Sequence, residues 1–287
     1  MAKGRELKGR IKSVENTRKI TRTLEMVATS KMKRAQDRVH AARPYARALT
    51  DVLADLYSPD LADRFPLLRQ PAHVKRAAVL LITSNRGLAG AFNANLIKEA
   101  RTLIGRLEAE GVAIDMHVVG RKGAGYFRYV GRALASSRSD IGDKPTTTHA
   151  AELVDGLRAA FGAGTLDALY VVYSKFNSVM STPAVSERIL PVAPPAGRAV
   201  QRDYLLSPSA DEILDQLLPA YVRNVVYRAL VENEAGFQSA QRTAMKNATD
   251  NATDMLNILR RTYNRARQAQ ITQEIAEIVG GAAALQG

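Results

Sequence analysis

No proline occurs between Pro219 and the C-terminus, and across that stretch apolar side chains recur three and four residues apart. Met245, Ala248, Ala252, Met255 and Leu259 keep the spacing, and Ile271, Ile275, Ile278, Ala282 and Leu285 keep it on a rotated face. A helix over 219–285 would be about 100 Å long at about 1.5 Å per residue. A compact globule of this chain length has a radius of gyration of only about 19 Å. Such a helix cannot be wrapped inside a ball. It must project, most simply as one arm of an antiparallel pair.

The second arm is at the N-terminus. Alternating steps of four and three from Leu7 visit Ile11, Val14, Arg18, Thr21, Glu25, Ala28, Met32, Ala35, Val39, Ala42, Ala46, Leu49, Leu53 and Leu56. Only Arg18, Thr21 and Glu25 are not apolar, so the pattern is a coiled-coil seam. At those three positions the apolar stripe is expected to move to Ile20, Leu24 and Val27. Ala28, Ala35 and Ala42 are small enough for a partner helix to come close. Pro44 is expected to bend or break the helix near Ala42 and Arg43. Ser209 and Glu212 have the spacing of a capping box, and Pro219 is expected to start or kink the main C-terminal helix. The seam positions singled out are Leu7, Ile11, Val14, Leu24, Ala28, Ala35, Met245, Leu259 and Ile275.

Between the arms the pattern changes. Pro59, Pro66 and Pro71 mark a linker before the middle segment, and Pro191, Pro194, Pro195 and Pro208 mark one after it. Ala77–Thr83, Val112–Val119, Ala168–Tyr173 and Val185–Val192 read as strands. Phe92–Leu107, Gly123–Tyr129 and Thr148–Phe161 read as helices. This alternation implies an open, mainly parallel sheet with helices on its faces. The fold class is therefore α/β plus coiled coil: long antiparallel N- and C-terminal helices with a central Rossmann-like α/β domain. The expected division is 1–57, 75–195 and 209–287.

Charge is concentrated in one place. Residues 1–50 carry 14 basic and 4 acidic side chains, while the whole chain has a net charge of +13. So basic a segment points to an acidic partner. Nucleic acid fits poorly, because aromatics are 6%, Trp is absent and the excess stops near residue 50.

Catalytic chemistry is hard to place. The chain has no Cys, which excludes thiol catalysis, disulfides and Cys-bound zinc, and its four His are scattered. The turn Ser84-Asn85-Arg86-Gly87-Leu88-Ala89-Gly90 follows a strand and opens a helix, as a phosphate loop does, but no Lys-containing phosphate loop exists. Gly120, Gly123 and Gly125 have the wrong gaps for a dinucleotide fingerprint. Plain turns are the expectation for both, with no cofactor and no metal. MAKGRELKGR has no apolar core after it, and the longest apolar run, Ala77–Ile82, is too short for a bilayer. The expected location is cytoplasmic, or at a membrane through partners. The last ten residues, Ile278–Gly287, carry no charged side chain, and an uncharged tip on a projecting rod is expected to lie inside something.

Three stretches carry a family resemblance: IKSVENTRKITRTLEMVATSKMKRAQ over Ile11–Gln36, SNRGLAGAFN over Ser84–Asn93, and the region Ala244–Leu285, above all YNRARQAQITQEIAEIVGGAAA over Tyr263–Ala284. Together they resemble the gamma subunit of the F-type ATP synthase over essentially the whole length. The pattern departs at Asn85, usually Asp, at Ala89, often Cys, and over Gly236–Arg242, where Gln241 stands at a position usually held by Arg. The resemblance implies a central rotor shaft present once per complex. Alpha and beta subunits would surround the helices, and epsilon and the membrane c ring would meet the α/β body. Proton flow would turn ring and shaft, and ATP would form at sites on the beta subunits. It also implies that Arg267, Gln268, Thr272 and Glu274, with the basic Lys31, Lys33 and Arg34, contact the beta subunits. The implied location is peripheral, on the cytoplasmic face of the bacterial plasma membrane, with membrane association only through the complex.

Overall fold

The computed structural model describes residues 2–56, 64–192 and 210–284. Helix α1 spans Ala2–Leu56, and a short 3-10 turn occupies Pro66–Leu68. Then come β1 (Arg76–Ile82), α2 (Phe92–Ala109), β2 (Ala113–Val119), α3 (Arg121–Tyr129), β3 (Ser136–Arg138), α4 (Thr147–Gly162), β4 (Ala168–Ser174), β5 (Ala184–Leu190) and α5 (Ala210–Ala284). Two compact units result: residues 29–241, and residues 1–28 with 242–287. Both long helices run through each of them.

In the unit 29–241 the strand order is β3-β2-β1-β4-β5. The first four are parallel, and β5 runs antiparallel to β4 at the edge. Central β1 is buried from Ala77 to Ile82, as a strand covered on both faces must be. Its Ala77, Val79 and Leu81 pack with Phe92, Leu96, Ala100 and Leu103 of α2 and with Ala124 and Phe127 of α3. On the other face Ala78, Leu80 and Ile82 share a cluster with Val154 and Phe161 of α4, Leu53 of α1, and Leu214, Leu218, Val222 and Val226 of α5. The long helices are thus part of the outer layer on that face. Helix α4 starts at a capping box in which His149 takes the place usual for Glu. Thr146 Oγ1 accepts the His149 N–H at 3.3 Å, and His149 Nδ1 accepts the Thr146 N–H at 3.2 Å.

Neither helix breaks at its proline. Pro44 lies inside α1, and Pro219 lies inside α5, which begins nine residues earlier at Ala210. Each ring frees the carbonyl four residues back, on His40 and Asp215, and both residues are exposed, so water can reach the carbonyl that lost its helical donor. Buried flanks keep the turns together: Val39, Ala46 and Leu49 around Pro44, and Leu214, Leu218 and Val222 around Pro219. Ser209 of the expected capping box, Pro59, Pro194, Pro195 and Pro208 of the linkers, and Leu285 lie outside the described residues.

In the unit of 1–28 with 242–287 the two helices are antiparallel. Thr21 meets Thr249, and Glu15 pairs with Arg260. The first heptad keeps its face throughout. Leu7, Ile11, Val14, Arg18 and Glu25 are half-buried, and Thr21 and Ala28 are buried. The expected shift to Ile20, Leu24 and Val27 does not occur: Leu24 is half-buried, while Ile20 is 60% and Val27 47% exposed. Two helices wound about each other keep the same heptad phase toward one another, so three polar residues simply occupy the seam. On α5 the seam runs through Met245, Thr249, Ala252, Leu256, Leu259, Tyr263, Ala266 and Gln270, again in steps of four and three. Leu256 is 1% exposed, whereas Met255, expected there, is 53% exposed.

The seam stops near Gln270. Every side chain described from Ile271 to Ala282 is exposed. The facing pair Thr21 and Thr249 explains this, since an antiparallel register through it brings α1 to its first residues opposite about residue 270. Ile275, expected in the seam, is therefore 55% exposed.

The polar step at Thr21 gives a prediction. Its hydroxyl donates to the Arg18 carbonyl at 3.1 Å, and the single Thr249 hydroxyl proton has two acceptors at 2.9 Å to choose between, Thr21 Oγ1 and the Met245 carbonyl. Replacing both threonines by Val keeps shape and removes both partners together, so stability should change by less than about 1 kcal/mol. Denaturant titration of the double variant tests this, and a loss well beyond that value would show that the bond itself holds the pair.

Candidate functional site

In an open parallel sheet a ligand belongs at the carboxyl ends of the strands, where the chain direction switches between β1 and β4. A cleft of about 250 Å³ lies instead beyond the carboxyl ends of β1, β2 and β3, against α5, lined by residues including Ser84, Asn85, Arg86, Arg121, Asp143 and Glu234. Several backbone amides at this end of the sheet already have acceptors within the chain. The Arg121 N–H donates to Asn85 Oδ1 at 3.1 Å, the Lys122 N–H to the Ser84 carbonyl at 3.2 Å, and the Gly123 N–H to Thr83 Oγ1 at 3.0 Å. The Ser84 N–H donates to Asn93 Oδ1 at 3.0 Å.

Asn85 ties three segments together. Besides accepting from Arg121, its Nδ2 donates to the carbonyls of Ser139 at 2.9 Å and Ile141 at 3.0 Å. An Asp at this position could accept the first bond but donate neither of the others. Glu234 borders the same cleft. Burial, reinforced by the charge of Asp143, pushes its carboxyl up to about 7, against the Gln238 hydrogen bond and the charges of Lys31 and Arg38. Among the described residues no group of His, Asp or Glu side chains is arranged to hold a metal ion.

The other candidate surface is the end of α5. Arg267, Gln268, Thr272 and Glu274 all lie on exposed helix. Thr272 Oγ1 donates to the Gln268 carbonyl at 3.0 Å, one turn back, which sets those two residues side by side. Glu274 accepts from Gln270 Nε2 at 2.8 Å. Apolar Ile271, Ile275, Ile278 and Val279 are exposed on the same stretch. No helix among the described residues is long and apolar enough to cross a membrane. An exposed apolar stripe of this kind marks an interaction surface.

The basic residues of α1 differ in their surroundings. Lys31 is half-buried and ion-paired with Asp143 on the loop before α4, and Arg38 donates to the Asp143 carbonyl at 2.6 Å. Lys31 is therefore committed within the chain. Lys33 pairs with Asp37 one turn on at 2.9 Å, and Arg34 donates to Ser30 Oγ at 3.2 Å; both remain exposed. Glu232 and Asn233 of α5 escape a reading from sequence, although both are buried. The one available signal is three adjacent polar residues, Glu232, Asn233 and Glu234, between apolar Val231 and Ala235.

Comparison with known proteins assigns the family. Over 290 aligned residues, covering 100% of both chains, the sequence is 68% identical to the ATP synthase gamma chain of Gemmatimonas aurantiaca. The chain belongs to the ATP synthase gamma family. A family model described as ATP synthase matches residues 3–285. The gamma chain of Acidithiobacillus ferrooxidans is 44% identical over 99% of this chain and 100% of its own length. Among solved structures, one of the central stalk and c-ring of the Tetrahymena thermophila mitochondrial ATP synthase contains a similar chain. It aligns with TM-score 0.62 and 26% identity over 80% of this chain and 99% of that one. A chain of the Euglena gracilis mitochondrial ATP synthase shares the fold, at TM-score 0.69 and 19% identity over 99% of this chain and 95% of that one. Membership of the gamma family makes this a stalk subunit of an ATP synthase, and both helix ends and the α/β body fall inside the match.

Proposed function

We propose that this gamma-family chain is the turning shaft of a proton-translocating F-type ATP synthase, with all catalytic groups on the surrounding beta subunits. The observation that carries the reading is the run of α5 past Gln270, exposed on every side, where α1 no longer covers it. A lone helix with an apolar stripe and a group of polar side chains needs a sleeve. Alpha and beta subunits supply it, while the α/β body meets epsilon and the c ring. The complex holds the chain peripherally at the cytoplasmic face of the bacterial plasma membrane. The division into 1–57, 75–195 and 209–287 separates the parts that face these partners.

The physics follows from asymmetry. Two helices of different sequence present a different surface at each angle, so the ligand affinity of each beta subunit depends on shaft position. Arg267, Gln268, Thr272 and Glu274 supply angle-specific polar contacts, and Lys33 and Arg34 face acidic surface. Lys31 is set aside because Asp143 holds it. Exposed Ile20 and Val27, seven residues apart on one face of α1, offer apolar contact outside the helix pair.

The test is the double variant Gln268→Ala with Thr272→Ala in the assembled complex. Two polar contacts at about 1 kcal/mol each amount to about 2 kcal/mol, enough for more than a tenfold loss of ATP-driven pumping with assembly intact. Unchanged pumping by a normally assembled complex would remove these residues from the drive.

A further inference from the structure

Beyond its end, β4 continues into a turn whose residue Phe176 leaves the sheet entirely. Its ring is 4% exposed and packs against Ala35 and Val39 of α1 and against Val231 and Ala235 of α5. The two alanines make the notch that the ring fills. From sequence, Ala35 reads as a place for close helix approach; in the structure a side chain of the α/β body occupies the space beside it.

The backbone around the ring is held from both helices. Glu232 of α5 accepts the Phe176 N–H at 2.9 Å, and Arg43 of α1 donates to the Phe176 carbonyl at 3.0 Å. Asn233 accepts the Ser174 N–H at 3.1 Å. All three contacts are directional, and Glu232 and Asn233 are buried. Apolar packing on the sheet face resists separation but is not directional, so by itself it lets helices creep under load. A plug in a notch, fixed at its N–H and its C=O, resists sliding and turning alike. A second grip lies nearby in sequence on α1, where Lys31 and Arg38 hold the Asp143 loop. Both grips engage α1 between residues 31 and 43, just inside the point where it leaves the unit 29–241.

We propose that Phe176, seated between α1 and α5 and fastened by Glu232, Asn233 and Arg43, is the joint through which torque passes between the α/β body and the two long helices. This rests on the rotor reading. Glu232, Asn233 and Arg43 act as positioning residues, holding Phe176 in its notch without touching substrate. The body would turn the shaft through this wedge, and loss of the wedge would let one yield against the other.

The experiment uses the assembled complex. The chain has no cysteine, so Tyr129→Cys, at an 89% exposed position of the body, gives a single point for a rotation probe. Angular fluctuations of the probe are recorded with the helices held by the catalytic subunits, alongside protons pumped per ATP hydrolysed. Phe176→Ala should widen the fluctuations roughly two-fold, as expected on losing one of the two directional grips on α1 while Arg223–Asp155 and Arg228–Glu187 still hold α5, and should lower the pumping ratio while ATP hydrolysis continues. Phe176→Leu, which refills most of the notch, should restore both. Glu232→Gln, which keeps an acceptor oxygen for the Phe176 N–H, should stay near wild type, and Glu232→Leu should resemble Phe176→Ala. Wild-type stiffness and pumping ratio in both Phe176→Ala and Glu232→Leu would overturn the joint. If Phe176→Ala does not assemble, Glu232→Leu and an Arg43→Gln variant carry the same readouts, and normal stiffness in these two overturns it equally. A wild-type probe that never rotates with ATP would instead overturn the rotor reading.

Discussion

Gly120→Ala should destabilise the chain by about 3–5 kcal/mol, adding a forbidden backbone conformation to a steric overlap. Gly120 joins β2 to α3 with φ at 98°. A Cβ built there falls 2.3 Å from the Thr83 carbonyl oxygen and 2.6 Å from Thr83 Oγ1. Neither atom can give way. The Thr83 N–H donates to the Val119 carbonyl at 2.8 Å, and its hydroxyl donates to the same carbonyl at 2.9 Å while accepting from the Gly123 N–H. The Gly120 N–H is itself bound to the Arg138 carbonyl at 2.8 Å, so moving this residue loosens β3 as well. Gly131→Ala is the control. It also has positive φ, 75°, but nothing lies within 4 Å of its added Cβ, and it should cost only about 1–2 kcal/mol. Denaturant titration of the full chain compares them, and equal losses would show that crowding against Thr83 contributes nothing.

Glu234→Gln should make the chain more stable above neutral pH and leave it unchanged in acid. The folded carboxyl titrates at about 7 against an ordinary 4.5, so between these values the native state holds a proton that the unfolded chain has lost. Stability is then fully present below about 4.5 and falls as pH rises through about 7. The difference corresponds to about 3 kcal/mol at most. Gln keeps an oxygen for the Gln238 amide, which donates to Glu234 at 2.7 Å, and carries no charge to desolvate. Asp143, Lys31 and Arg38 face the same place. Unfolding measured at pH 4, 6 and 8 should show the two chains converging in acid and separating by up to that amount in base. Parallel curves would mean that Glu234 is solvated in the native state.

Most of the architecture is legible in the residues because it rests on apolar period. β1 reads as six buried residues in a row, and α2 shows its face at Phe92, Leu96, Ala100 and Leu103. β3 has no such signal. Ser136, Ser137 and Arg138 are polar, and the strand is held by backbone pairing with His117, Val118 and Val119 at the sheet edge. Pro44 and Pro219 sit inside helices because the burial on either side of them, which the sequence does not display, holds the turns together. Ile20 and Val27 mislead, since they are apolar and still face outward. Lys31 looks free because its partner Asp143 lies 112 residues away. Contacts through Phe176 and Glu232 are equally remote in sequence, and neither residue type announces a wedge or its fastening.

The threonine pair in the seam has a consequence for how such a shaft can fail. A purely apolar heptad is nearly indifferent to a shift of seven residues, because each knob then meets a hole much like its own. Under a steady twisting load a rod of that kind creeps one repeat at a time instead of snapping. Thr21 and Thr249, with Glu15 and Arg260 nearby, match at one setting only. Any other alignment parts the two hydroxyls and separates the ion pair. The polar interruption that weakens the seam locally thus serves as a detent, and the two helices keep the same phase after every cycle.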